Sequence, residues 1–152
     1  MSRDIDWQRY GIALAAGAAL LLAMDTLRLF GGDPLLSPWI RLETHYYFAL
    51  LGLLLPLVFF VFPRWLPLDA VLASAVVVCC VYFFRHAGDV LDLGWEFGAP
   101  PTATWLAVVL WVVLLEAVRR AGGWALFVIT GLFSLMPMIA DRLPGPFAGL
   151  PA

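Results

Sequence analysis

The chain has 152 residues, of which 63% are hydrophobic and only 13% are charged, and its formal net charge is −2. A soluble domain carries about 25% charged residues and, at this size, buries only about 70% of its unfolded surface, so the excess apolar surface must face lipid. The nine cations are all Arg and are scattered along the chain. This pattern argues against a nucleic-acid partner, because phosphate binding needs a clustered basic surface.

The hydrophobic runs predict an all-α, polytopic integral membrane bundle of about five transmembrane helices. Each run is close to the length of roughly 20 residues that crosses a bilayer. The predicted helices span residues 10–30, 44–62, 68–84, 102–120 and 124–140, within a single membrane domain over residues 1–152. In the first of them Gly11, Ala15 and Ala19 share one face, which either allows close helix packing or reflects the abundance of Ala in such helices.

Turn-forming and polar residues mark the limits of these helices. Pro56 lies inside the second predicted helix and is expected to kink it. Residues 87–101 carry three carboxylates and are predicted to form an acidic surface loop, after which Thr102 is placed as an N-cap. The pair Gly122-Gly123 is predicted to break the chain between the last two helices.

The distribution of Arg along the chain predicts its orientation in a membrane. With the N-terminus in the cytoplasm, five Arg lie on the inner side and four on the outer side, as the positive-inside rule favours. The acidic residues 87–101 then lie on the outer side. We therefore expect a cytoplasmic N-terminus and a multi-pass protein.

The strongest local feature in the sequence is a carboxylate followed by two guanidiniums. Glu116 precedes Arg119 and Arg120 by three and four residues, a spacing that forms ion pairs on a helix and lowers the cost of charge near hydrocarbon. One interpretation is a self-neutralised helix end whose Arg side chains reach the headgroups, and another is a contact with a partner subunit. A proton relay is less favoured, because an acid paired with two guanidiniums should stay ionised.

Other ionisable residues give weaker signals. Asp25 and Arg28 have the same three-residue spacing at the end of the first predicted helix, which favours an interfacial salt bridge over a functional site. His45 and His86 are single imidazoles without a second ligand at metal-binding spacing. The sequence contains no nucleophile paired with a base and no nucleotide-binding loop, so we expect no enzyme activity, no cofactor and no metal.

Residues 111–147 carry a more specific pattern. Their sequence is WVVLLEAVRRAGGWALFVITGLFSLMPMIADRLPGPF: a hydrophobic helix ending in LEAxRR, a Gly-Trp-Ala-Leu start that includes Trp124, and a Leu-Pro-Gly exit. The segment resembles the N-terminal part of the fused membrane component of TRAP transporters, the tripartite ATP-independent periplasmic systems, especially those served by the TAXI type of binding protein. The chain would then be a separate small permease subunit or the small-permease part of a fused permease.

The resemblance implies a bracing role in the bacterial inner membrane. In that family the small permease part braces a large permease, which carries the substrate and sodium sites and moves like an elevator. The implied partners are the large permease subunit, a periplasmic TAXI-type binding protein and the lipid bilayer, with organic acids as cargo of the whole transporter. The candidate residues for packing or docking are Glu116, Arg119, Arg120, Asp25, Arg28 and Trp124.

Three other interpretations remain open. The small membrane subunit of a tripartite tricarboxylate transporter is also short and apolar, although the LEAxRR to Leu-Pro-Gly segment suits it less well. A membrane anchor or assembly factor outside transport would be equally poor in catalytic residues. An enzyme acting on lipid would need a polar cluster in the bilayer, which the sequence does not contain.

Overall fold

A computed structural model of the chain describes residues 2–27, 29, 40, 43–95 and 98–139, with side chains for 9–27, 29, 40, 44–95 and 98–136. In this part of the chain the structure is helical and has no strands, which confirms the all-α prediction. The helices are α1 (Ser2–Thr26), α2 (Glu43–Val61), α3 (Leu66–Arg85), α4 (Ala87–Asp92) and α5 (Pro101–Ile139). The chain divides into two compact units, Met1–Val113 and Leu114–Ala152, and the single membrane domain stays a prediction.

Among the described residues, four helical segments are long and apolar enough to cross a membrane. They are Arg9–Thr26, Thr44–Val61, Leu66–Arg85 and Pro101–Met136. The predicted number of about five is not confirmed, because Pro101–Met136 forms one of these four segments. It covers most of the two expected helices, 102–120 and 124–140, which lie on either side of a non-helical residue, Gly123. The six residues of α4 are too short to span a bilayer.

A single glycine interrupts α5. Gly123 has φ 78° and ψ −174°, a backbone conformation that is essentially restricted to glycine. A Cβ added to Gly131 would lie 4.0 Å from Leu115 Cδ2, whereas a straight helix would place these two residues about 24 Å apart. Residues 124–139 therefore fold back against the residues that precede the break, and the predicted interruption at Gly122-Gly123 is confirmed.

Close packing of α2 against α3 forms the core of the first unit, and α1 packs against α2. A Cβ on Gly52 would lie only 3.0 Å from Cys80 Cβ, so this glycine lets the two helices approach closely. The most buried residues are Phe59, Val76, Cys79, Ala87 and Ala103. On the predicted small-residue face of α1, Ala15 is buried, whereas in the part of the chain that the structure describes no atom lies within 4 Å of a Cβ on Gly11.

Asp69 stabilises the turn that joins α2 to α3. Its side chain is 2% exposed, and its Oδ2 accepts hydrogen bonds from the backbone N–H of Arg64 at 2.8 Å and of Trp65 at 3.0 Å. The carboxylate lies in the first turn of α3, where the helix dipole favours negative charge. Sequence reasoning missed this residue.

Three local predictions differ from the structure or are refined by it. The stretch 87–101 is not a loop throughout, because its first six residues form α4. Thr102 is not an N-cap: α5 already begins at Pro101, and the Thr104 backbone N–H donates to Pro100 O. The helix α2 includes Pro56 and continues to Val61, so the kink expected at Pro56 does not end the helix.

We predict that Gly123→Ala lowers the free energy of unfolding by about 1–3 kcal/mol, because an L side chain strains this backbone conformation. The measurement is thermal unfolding in detergent, followed by far-UV circular dichroism. Gly17→Ala in α1 is the matched control, since no atom of the described residues lies within 4 Å of its Cβ position and Ala favours a helix. Equal stability of Gly123→Ala and the wild type would contradict the role assigned to the break.

Candidate functional site

The predicted charged cluster is present in the second unit, on the turns of α5 that precede the break. Arg119 forms a bidentate pair with Glu116, with Nε 2.7 Å from Oε2 and one terminal nitrogen 2.7 Å from Oε1. Arg120 Nε donates to the same Oε1 at 2.8 Å. One carboxylate therefore holds two guanidiniums, as the three- and four-residue spacings predicted.

An aromatic ring extends this cluster across the break. The guanidinium carbon of Arg119 lies 5.1 Å from the ring centroid of Trp124, within the range of a cation–π contact. Trp124 also makes an edge-to-face contact with Phe127, with the centroids 5.4 Å apart. The structure thus brings together four of the six predicted residues, which we call the Glu116–Trp124 cluster: Glu116, Arg119, Arg120 and Trp124.

The members of the Glu116–Trp124 cluster differ in exposure. The side chain of Arg120 is 4% exposed, whereas those of Arg119 and Glu116 are 17% and 24% exposed. A guanidinium in apolar surroundings is costly unless a counter-charge and hydrogen bonds compensate it, and Glu116 supplies both. Because the carboxylate already accepts three hydrogen bonds, the cluster is better suited to a fixed contact than to proton transfer.

The two remaining predicted residues are on and beyond α1. Asp25 lies in the last turn of the helix and is only 5% exposed. Arg28 lies outside the described residues, so the Asp25–Arg28 salt bridge stays a prediction. Beside Asp25, the hydroxyl of Thr26 donates to the backbone carbonyl of Leu22 at 2.9 Å, which leaves no free hydroxyl hydrogen on the helix surface.

Large apolar side chains cover much of the outside of the long helices. Leu14, Val78 and Trp105 are each more than 60% exposed on α1, α3 and α5. On residues 124–139 the exposed large side chains are Trp124, Leu126, Val128, Ile129, Leu132, Phe133 and Leu135. Scattered apolar residues are normal on a soluble protein, but contiguous apolar faces of this extent mark contact with membrane or with protein.

The first unit contains an apolar cavity of about 400 Å³ that sequence reasoning missed. Its lining residues are Phe48, Phe83, Val90, Trp95, Gly98, Ala99, Ala103, Thr104 and Ala107. Ala103 and Ala107 are four residues apart in α5, and this spacing was the available signal for a face of the helix that leaves space beside it.

Three rings stack beside this cavity at the junction of α3 and α4. His86 stacks on Tyr82 with centroids 4.4 Å apart and on Trp95 with centroids 5.8 Å apart. His86 Nδ1 lies 2.9 Å from the Tyr82 carbonyl oxygen, so Nδ1 carries the hydrogen. In the part of the chain that the structure describes, no group of three or more His, Cys, Asp or Glu residues is arranged to hold a metal ion.

Comparison of the chain with protein-family models, with curated proteins and with solved structures finds no match. Nothing in these comparisons identifies a TRAP transporter. The resemblance of residues 111–147 to the small permease part therefore stays a prediction, and so do the partners that it implies.

We predict that Glu116→Leu lowers the free energy of unfolding in detergent by about 3 kcal/mol, because it leaves the guanidinium of Arg120, which is 4% exposed, without its carboxylate. The triple variant Glu116→Leu, Arg119→Leu, Arg120→Leu should recover most of that loss, since all three charges are then absent. The exposed Asp92 offers a control, and Asp92→Leu should change stability little. If the triple variant is no more stable than Glu116→Leu alone, the result contradicts the role of Glu116 in compensating the two guanidiniums.

Proposed function

We propose that this chain is a small integral membrane subunit of a secondary, ion-coupled tripartite transporter for organic acids, in which it braces the large permease. The observation that carries the proposal is that the exposed surface of the helices is mainly apolar, while the charged side chains of α5 are paired. Apolar side chains cover much of the outside of the long helices, whereas Arg119 and Arg120 both pair with Glu116. Such a chain is suited to lie in a bilayer and to bind a neighbouring subunit. The proposal assigns it no chemical step.

The apolar faces support a multi-pass location. Four helical segments have the length and hydropathy to cross a bilayer, and their exposed side chains are mainly aliphatic or aromatic. In hydrocarbon these faces need no cover, because lipid tails solvate them as well as another apolar side chain would. We place the chain in the bacterial inner membrane with its N-terminus in the cytoplasm, following the positive-inside rule.

The Glu116–Trp124 cluster is the proposed contact with the large permease. Trp124 is 65% exposed, although its ring also contacts the guanidinium of Arg119. Trp and Arg are among the residue types most enriched at the energetic centres of protein interfaces. The ion pairs would hold this ring in place before the partner binds, which lowers the entropy lost on association.

Within the proposed transporter the substrate and the coupling ion bind to the large permease, and a periplasmic TAXI-type protein delivers the substrate. This assignment follows the resemblance of residues 111–147 to the small permease part. It agrees with the placement of several polar side chains in the described residues, whose hydroxyls bond to backbone carbonyls three or four residues earlier in the chain. Examples are Thr26 on Leu22, Thr104 on Pro100 and Ser134 on Gly131.

We predict that, when the chain is co-expressed with a large permease subunit, Trp124→Ala lowers the recovery of their one-to-one detergent complex. Loss of an aromatic residue at the centre of an interface costs about 2 kcal/mol or more, which is roughly a thirtyfold change in affinity. Trp105→Ala is the matched control, because Trp105 is 72% exposed on the same helix but lies outside the cluster. The measurement is affinity purification of the tagged large permease, with quantification of the co-purified chain.

Ion-driven uptake in the same cells provides the second readout. Uptake at full rate by the large permease alone would contradict the bracing role. An intact complex whose substrate affinity changes in Trp124→Ala would assign the residue to a substrate site instead. Stable insertion without any large permease as partner would favour an anchor or assembly factor.

A further inference from the structure

The apolar cavity lies at one end of the first unit, where α2 begins, α3 ends and α5 begins. Phe48 belongs to the second turn of α2, Phe83 to the last turn of α3 and Val90 to α4. Its volume of about 400 Å³ falls within the range of roughly 300–1,000 Å³ that is typical of small-molecule sites. The space is therefore large enough for part of an organic ligand.

The lining of the cavity selects an apolar occupant. Phe48 and Phe83 form one wall as stacked rings, with centroids 5.1 Å apart and planes inclined by 16°. The hydroxyl of Thr104 is engaged, because it donates to the backbone carbonyl of Pro100 at 3.3 Å. A ligand that buried polar groups against this lining would lose their hydration without gaining partners.

The cavity lies next to an exposed apolar face of α2. Phe48 also lines a hollow of about 330 Å³ with Tyr47, Leu51 and Leu54, and Tyr47 is 58% exposed. It also lines a hollow of about 220 Å³ between α2 and α3, beside Gly52. In a bilayer this face contacts hydrocarbon, so a lipid chain can reach the cavity from the side.

Charged residues at the same end of the unit favour one class of headgroup. Arg85 follows Phe83 by two residues, and Asp89 and Asp92 lie on either side of Val90 in α4. All three charged side chains are exposed, and none forms an ion pair with another of the described residues. A guanidinium suits a phosphate and carboxylates suit an ammonium group, whereas a purely anionic headgroup would meet two carboxylates.

We propose that this cavity holds one acyl chain of a zwitterionic phospholipid of the phosphatidylethanolamine class, with the headgroup beside α4. The inference rests on the proposed membrane location. The bound chain fills a space between α2, α3 and α5 that the side chains leave open, and it joins the three helices where their ends meet.

The test uses the full chain, purified in detergent, depleted of lipid and mixed with micelles containing equal amounts of phosphatidylethanolamine and phosphatidylglycerol. Native mass spectrometry should find one phospholipid per chain, mainly phosphatidylethanolamine. Ala107→Phe places a ring in the cavity and should reduce this binding about tenfold, because the ring displaces several methylenes of the acyl chain. Ala13→Phe on the exposed face of α1 is the matched control and should bind lipid as the wild type does.

A second pair of substitutions tests the headgroup. Asp89→Asn combined with Asp92→Asn should abolish the preference for phosphatidylethanolamine while the acyl chain still binds. Equal lipid binding by Ala107→Phe and the wild type, or no binding by the wild type, would overturn the proposal. Sedimentation of the wild type with membranes after an alkaline carbonate wash tests the membrane location separately from the lipid site. If the chain stays with the membranes but binds no lipid, the lipid site alone is refuted. If the wash releases the chain into solution, both the membrane location and the lipid site are refuted.

Discussion

The constraint on which the rest of this structure depends is that polar groups on apolar helices must be satisfied by the chain itself. Glu116 meets two guanidiniums, and Asp69 accepts two backbone N–H groups at the start of α3. The hydroxyls of Thr26 and Ser134 bond to carbonyls of their own helices. Hydrocarbon offers no donors or acceptors, so this local pairing would allow such side chains to remain on helices in the proposed bilayer location.

The packing of these helices also depends on small residues, which allow two backbones to approach closely. Gly52 lets α2 lie against Cys80, and Gly123 adopts a conformation that allows α5 to reverse. Gly122 is also confined, because a Cβ there would overlap Leu126 Cδ1 and lie 3.1 Å from Leu126 Cβ. Where lipid is as apolar as the side chains, packing of this kind contributes more to helix association than the hydrophobic effect does.

Much of this architecture can be predicted from the sequence, because long apolar runs have few alternatives to the helix. The predicted bounds 44–62 and 68–84 lie within two residues of α2 and α3. The ion pairs of Glu116 followed from helical spacing alone. By contrast, α4 is six residues long and lies in an acidic stretch, so it gave no periodic signal.

Features that depend on tertiary placement were missed for a physical reason. The bonds from Asp69 reach back to residues outside its helix, and sequence spacing does not reveal which backbone groups a turn will present. The cavity arises where residues of α2, α3, α4 and α5 meet, so no single helix encodes it. The contact of Trp124 with Arg119 depends on the reversal at Gly123, whereas the sequence alone indicated only an interruption.

The central claim is that lipid surrounds the exposed apolar faces, and spin labels in lipid vesicles test it most directly. Labels are attached to cysteines at Val78, Val128 and Asp89, with Cys79 and Cys80 replaced by Ala. Val78 and Val128 are 61% and 58% exposed, so oxygen, which concentrates in hydrocarbon, should relax these two labels more than a water-soluble nickel chelate does. The label at Asp89 should show the reverse. Stronger relaxation by nickel at Val78 and Val128 would contradict the account, because water rather than lipid would then surround these helices.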